Sequence, residues 1–236
     1  MTPTEFAPGL TVRGFTPPLR LADFGLIAFD MDSTLINIEC VDEIAAAAGR
    51  QAEVAAITEA AMRGEIADYK ASLRQRVALL KGVPVAALEQ VWRERLRLNP
   101  GAEALVRACQ AAGLKTLLVS GGFTFFSDRV RDRLGLDYTR SNVLALADGK
   151  LTGQMVDQPW GDICDGQEKQ RMLLHTCDQL GIAPAQAIAV GDGANDLSMM
   201  AAAGLSVAYR AKPRVREQAM VAIDSGGLDR LLEVLR

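Results

Sequence analysis

The chain has 236 residues, 49% of them apolar and 23% charged, with a formal net charge of −3; that is length enough to bury a real core, as one large domain or two small ones. No basic stripe or excess marks it for nucleic acid, and its apolar runs fall well short of a membrane span. Residues 1–20 lack the basic-then-apolar order of a secretory leader, and the four cysteines show neither a C-x-x-C pair nor a zinc spacing, so the expectation is a cytoplasmic protein without nucleic-acid or membrane partners.

Residues 1–20 hold Pro3, Pro8, Pro17 and Pro18 with Gly9 and Gly14 between them, and read as an extended arm lying on the domain or partly disordered. Gly25 to Phe29 (GLIAF) is a short apolar run of the kind buried on both faces of a parallel sheet. It ends in Asp30 and Asp32, followed by Ser33 and Thr34. Two acids at the carboxyl end of such a strand mark a site in open α/β sheets; the alternative is that they only cap a turn or helix. From residue 37 to 98 the text is helical, with helices expected near 39–48, 51–62, 67–80 and 85–97. They are broken at Gly49, Gly64 and Gly82-Val83-Pro84. Leu73, Val77 and Leu80 give the third a buried face, and Arg93 to Arg97 (RERLR) reads as a solvated one. This stretch is expected to form a small helical cap, inserted into a core made of 21–36 and 99–236.

Strand-and-helix alternation then resumes. A helix near 101–112 leads to the buried strand Lys115 to Val119, at whose end stand Ser120, Gly121 and Gly122. A helix near 124–134, a hairpin over 139–156 turning at Asp148-Gly149, and a helix near 167–180 follow. The strand Ala187 to Val190 ends in Gly191-Asp192-Gly193-Ala194-Asn195-Asp196. A helix near 195–203, a strand near 205–208, a helix near 213–219, a strand near 221–223 and a helix near 228–235 close the chain. The rhythm is that of an α/β protein with a doubly wound parallel sheet.

Three strand ends thus carry polar groups that one sheet would bring side by side. Carboxylates converging in one crevice repel one another unless a cation sits among them, and an all-oxygen set suits a hard divalent ion such as Mg²⁺. The only histidine, His175, lies inside a predicted helix and reads as an ordinary, partly buried helix residue. Glycines before helix starts at 121–122 and 191–193 allow backbone N–H groups to approach a phosphate.

Asp30-Met31-Asp32-Ser33-Thr34, Ser120-Gly121-Gly122-Phe123, Lys169 and Gly191-Asp192-Gly193-Ala194-Asn195-Asp196 stand in the order of the haloacid dehalogenase superfamily motifs. From about residue 24 to the end, inserted helices included, the chain resembles the phosphoserine phosphatases of that superfamily. The resemblance implies Mg²⁺-dependent hydrolysis of O-phospho-L-serine, the last step of L-serine biosynthesis, by a monomer or homodimer. It makes Asp30 the nucleophile that forms an aspartyl-phosphate and Asp32 the general acid and then base. It gives the metal the Asp30 side chain, the Asp32 carbonyl and Asp192, with Asp196 in support. Ser120, Gly121, Lys169 and Asn195 would hold phosphoryl oxygens. Glu39 would take the substrate ammonium and Arg76 its carboxylate, a task suited to a guanidinium fork. Met62 and Tyr69 would screen the site from water, Tyr69 standing where the family usually has phenylalanine, and Arg74 would be solvated. Two other readings stay open on sequence: a phosphatase or phosphotransferase for another small phosphomonoester, with homoserine as a possible acceptor, and a non-catalytic binding protein on the same fold.

Overall fold

The computed structural model of the chain describes residues 2–62 and 68–236, and the side chains of 59–62 lie outside that description. In chain order the strands and helices are β1 (Thr4–Ala7), β2 (Leu10–Val12), β3 (Leu26–Phe29), α1 (Cys40–Ala47), α2 (Gln51–Met62), α3 (Tyr69–Ala78), α4 (Val85–Gln90), α5 (Ala102–Ala111), β4 (Lys115–Phe123), α6 (Thr124–Leu134), β5 (Tyr138–Ala147), β6 (Lys150–Val156), α7 (Gly166–Leu180), β7 (Ala187–Gly191), α8 (Leu197–Ala202), β8 (Leu205–Tyr209), α9 (Pro213–Gln218) and β9 (Val221–Ile223). Among these none is a helix long and apolar enough to cross a membrane.

One sheet runs β1-β2-β9-β8-β7-β3-β4-β5-β6. Its inner strands, β9 to β5, pair in parallel, while β1, β2 and β6 add antiparallel margins. Every residue of β3, β7 and β8 is buried, which is why their sequences read as unbroken apolar runs. Alternate residues feed two layers. Ile27, Phe29, Ile188 and Val190 join α1, α5 and α6 on one face, and Leu26, Ala28, Ala187 and Ala189 join α7, α8 and α9 on the other. The doubly wound architecture expected from the sequence is the one observed, with β3 in the middle.

Four local expectations change. The proline-rich arm supplies β1 and β2, which extend the sheet beyond β9 (Leu10↔Ile223, Val12↔Val221) instead of lying loosely on the domain. β4 does not stop at Val119 but carries Ser120-Gly121-Gly122-Phe123 as buried strand. The fourth inserted helix ends at Gln90. Residues Val91–Arg95 form a wider turn, because the returning chain is drawn off to pair with the outgoing one. Last, the closing helix is a tight turn, Leu228–Glu233, since Leu235 is pulled into a bridge with Leu19.

Where the inserted segment leaves and re-enters the sheet, the two strands of chain are tied together. Asn37 donates its N–H to the Arg97 carbonyl (3.0 Å) and accepts the Arg97 N–H on its side chain (2.7 Å). The Asn99 amide donates to the carbonyls of Thr34 and Ile36 at 2.8 and 2.9 Å. Four buried side chains of the inserted helices, Ile44, Leu73, Val77 and Leu88, belong to the same apolar cluster as the sheet face below them.

Candidate active site

The site begins where β3 runs out. Asp30 stays extended (φ −72°, ψ 161°), and its Oδ1 accepts the Met31 N–H at 2.7 Å. The chain then curls through Met31–Leu35, with Ser33 in the left-handed region at φ 57°, a conformation that costs a residue with a side chain free energy. The curl is held by its own polar groups. The Ser33 hydroxyl donates to Glu39 Oε1 (2.7 Å), and Asp32 Oδ2 accepts the Cys40 N–H (3.0 Å). The capping role is therefore real for one oxygen of Asp32. Its other oxygen, Oδ1, is buried without a partner among the described residues. A Cβ on Gly122 would come within 3.4 Å of that oxygen and 2.8 Å of Met31 Cε, so only glycine leaves the space open.

The end of β7 supplies the second set. Asp196 is wholly buried, and its Oδ2 accepts the N–H groups of Asp192 and Gly193 (3.2 and 3.0 Å). Thr34 Oγ1 donates to Asp192 Oδ1 at 3.1 Å. From α7, Lys169 reaches in with no exposed surface, its Nζ 2.7 Å from both Asp30 Oδ1 and Asp196 Oδ1. A lysine on a helix is usually solvated; this one is among the largest fully buried side chains of the protein.

These groups set one another's protonation. Burial, then the Asp196 charge, raises the Asp30 carboxyl, and Lys169 opposes both. Burial alone would lower the Lys169 ammonium, but Asp196 and Asp30 outweigh it and hold it charged. Burial and the neighbouring Glu39 push Asp32 up to about 7. Burial and Asp196 push Asp192 up to about 6. A carboxyl near 7 beside a buried ion pair is suited to giving and taking a proton near neutrality.

Carboxylate oxygens of Asp30, Asp192 and Asp196 lie within 4.8 Å of one another. Three acids against the single ammonium of Lys169 leave an excess of negative charge in a buried place. Both oxygens of Asp196 are already engaged, whereas Asp30 Oδ2 and Asp192 Oδ2 accept no hydrogen bond from the described residues. An all-oxygen donor set with two open oxygens fits a hard divalent cation.

Above this floor opens a cavity of about 1180 Å³, and α1 and α3 form its far wall. Glu39, Tyr69 and Arg76 line it there, with Ser120, Gly121 and Asn195 on the sheet side. The Tyr69 hydroxyl stands so close over Gly121 that a Cβ at that position would collide with it. Arg76 is half-buried, and its Nε is buried without a partner among the described residues. Gly121 is fixed from behind, its carbonyl accepting from the Asn142 amide at 2.8 Å. The Ser120 hydroxyl accepts the Gly122 N–H (2.9 Å). The side chain of Met62 lies outside the described residues. Arg74 is exposed, as expected, but is paired with Asp162 rather than merely solvated. His175 is exposed on α7 rather than partly buried, and takes no part in the cavity lining.

Charged lining residues not anticipated include Asp42, Lys212 and Arg214. Asp42 follows Glu39 by three positions and so shares its helix face, a spacing that was available in the sequence. Its Oδ1 is buried without a partner among the described residues, and the Arg76 charge opposes the upward push of burial on the carboxyl. Lys212 and Arg214 follow β8, a fourth parallel strand whose carboxyl end faces the same crevice. The rule that located the other three strand ends would have located this one. The Lys212 N–H donates to the Asp192 carbonyl at 3.1 Å.

Comparison with known proteins gives a consistent assignment. The family model of haloacid dehalogenase-like hydrolases matches residues 24–204. A phosphoserine phosphatase of Polaromonas sp. (strain JS666) is 77% identical over 236 residues, all of both chains. That of Albidiferax ferrireducens is 72% identical over the same full length. Among solved structures, a phospho-aspartyl intermediate analogue of phosphoserine phosphatase superposes with a TM-score of 0.82 at 39% identity, covering 90% of this chain and 99% of that one.

Proposed function

The chain belongs to the haloacid dehalogenase-like hydrolases, among which its full-length relatives are phosphoserine phosphatases; from that premise we propose that it hydrolyses O-phospho-L-serine to L-serine and phosphate with Mg²⁺ as the cation. The observation that carries the reading is the polarity of one cavity. Its floor pairs Asp30 with a buried ammonium beside a carboxyl that titrates near 7, and its far wall offers an acid and a guanidinium.

The Asp30 carboxylate, held by the Lys169 ammonium and the Met31 N–H, attacks phosphorus. As the bond between phosphorus and the serine oxygen breaks, Asp32 hands its proton to that oxygen. The serine leaves as the alcohol and an aspartyl-phosphate remains on Asp30. Water then attacks phosphorus, Asp32 takes the proton back, and the carboxylate of Asp30 is released. Lys169, the Ser120 hydroxyl, the Gly121 N–H and the Asn195 amide hold the phosphoryl oxygens through both steps. Asp30, the main-chain carbonyl of Asp32 and Asp192 would hold the cation, with Asp196 fixing the Asp192 turn from behind. Bound there, a divalent cation supplies positive charge to the phosphoryl group in flight.

Glu39 receives the substrate ammonium, and Arg76 its carboxylate. Residues 37–98 act as a cap on the core of 21–36 and 99–236, and Met62 and Tyr69 keep water from the aspartyl-phosphate until serine has gone. Four buried, free cysteines suit a reducing compartment, and we place the protein in the cytoplasm.

The test is phosphate release from L-phosphoserine with and without Mg²⁺, using Asp30→Asn as control. The expected result is Mg²⁺-dependent release that falls by more than about 10⁴-fold in the variant, as for loss of a covalent nucleophile. Asp30-dependent hydrolysis of other phosphomonoesters with L-phosphoserine untouched would overturn the substrate and keep the chemistry. No turnover of any phosphomonoester would overturn both.

A further inference from the structure

Next to Lys169 in sequence is a second buried charge that the reaction does not use. Glu168 is 1% exposed and does not line the cavity. It is held by two guanidiniums. Arg171, three residues on in the same helix, lies 2.6 Å from Oε2, and Arg140, from β5, pairs with Oε1. The Arg140 guanidinium also stands 5.3 Å from the Trp160 ring centre.

Consecutive helix residues point about 100° apart. Lys169 therefore faces the ends of β3 and β7, where Asp30 and Asp196 are, while Glu168 faces β5, on the other side of β3 in the sheet. At the head of α7, Gly166 is so close to the Asn195 carbonyl that an added Cβ would lie 2.9 Å from its oxygen. That contact fixes where the helix starts but not how it is turned about its axis. A grip on each side does fix the turn. Lys169 depends on that angle, since its Nζ meets two carboxylate oxygens at 2.7 Å each and a small rotation would favour one at the expense of the other. If α7 needed only to be stable, an apolar residue at position 168 would serve as well as a buried ion pair, because the desolvation of such a pair offsets most of its attraction. We infer that Glu168 and Arg140 are positioning residues, a cross-sheet anchor that sets the rotation of α7 and with it the placement of Lys169 between Asp30 and Asp196. The inference rests on the reading of Lys169 as a phosphoryl-binding group.

Arg171 supplies the control. It pairs with the same carboxylate from within α7, so it can neutralise Glu168 but cannot anchor the helix to β5. Steady-state phosphate release should show Arg140→Gln lowering kcat by about tenfold or more with KM within twofold of wild type. Arg140→Lys should recover part of the loss, and Arg171→Gln should leave kcat unchanged. Should Arg140→Gln not fold, Glu168→Leu, which removes the charge and fills the space, is expected to fold and show the same fall in kcat. An unchanged kcat in Arg140→Gln or Glu168→Leu would overturn the inference, as would an equal fall in Arg171→Gln. Inactive Lys169→Met with fully active Arg140→Gln would sink the anchor alone, whereas active Lys169→Met would sink the reading of Lys169 on which it depends.

Discussion

The two sides of the cavity are built in opposite ways. On the sheet side the charged groups hold one another in place before any ligand arrives, with Asp30 Oδ2, Asp32 Oδ1 and Asp192 Oδ2 left open toward it: Asp196 accepts from Lys169, Asp192 and Gly193, Thr34 donates to Asp192, and Asn142 fixes Gly121. On the helical side, Asp42 Oδ1 and Arg76 Nε are buried and have no partner among the described residues. A buried polar atom without a partner costs free energy, and Asp42 and Arg76 both line the cavity. The floor is organised in advance to do chemistry. The wall is left incomplete for an occupant to finish, which is how a site rejects molecules lacking the matching group.

The largest effect should come from breaking the floor. Lys169→Met removes the ammonium that joins Asp30 and Asp196. Turnover should fall by about 10²–10³-fold, and urea unfolding should show a loss of about 3–5 kcal/mol, as when one partner of a buried pair is removed. If the rate survives, the floor is not the organised half. A smaller and more selective effect is expected at the wall. Arg76→Ala should raise KM for L-phosphoserine by about 10–100-fold, the equivalent of one lost charge-assisted interaction. KM for phosphoethanolamine, which lacks the carboxylate, should stay close to that of the wild type. Equal losses on both substrates would mean that Arg76 does not read the carboxylate.

The smallest effect concerns stability. Burial and Glu39 raise the Asp32 carboxyl to about 7, so the folded protein keeps a proton there that the unfolded chain gives up near 4. Ionising Asp32 therefore costs the fold nothing below about pH 4, progressively more between 4 and 7, and a constant amount above. Asp32→Asn should raise the Tm of metal-free protein by a few degrees at pH 8, with the gain gone at pH 4. A gain that persisted at pH 4 would assign it to something other than this carboxyl.

The floor was legible in the sequence and the wall only partly so. Asp30, Ser120 and Asp192 stand at the ends of apolar runs, and strand ends of one parallel sheet converge wherever the sheet forms. Lys169 could be named by its order among the motifs. Its complete burial could not, because that depends on how α7 is turned against β3 and β7. Arg76 and Glu39 were named through the resemblance, whereas Asp42, on the same face of α1 as Glu39, was passed over because three-residue spacing of acids is common on solvated helices. The proline-rich start was read as an arm, since proline and glycine disfavour inner strands. The strand near 221–223 is expected from the sequence; that it closes the parallel part of the sheet, with an edge open to β2, is not.

The central place of β3 bears on how the chain is made. Its register is fixed on one side by β4, starting at Lys115, and on the other by β7, starting at Ala187. During synthesis at about 5–20 residues per second, the apolar segment Leu26–Phe29 leaves the ribosome on the order of ten to thirty seconds before its second neighbour is made. Until then one edge of this strand, which has no polar face and leads into Asp30, has no strand to pair with. A chain stalled or cut before Ala187 would therefore be a target for chaperones and proteases rather than a weaker enzyme.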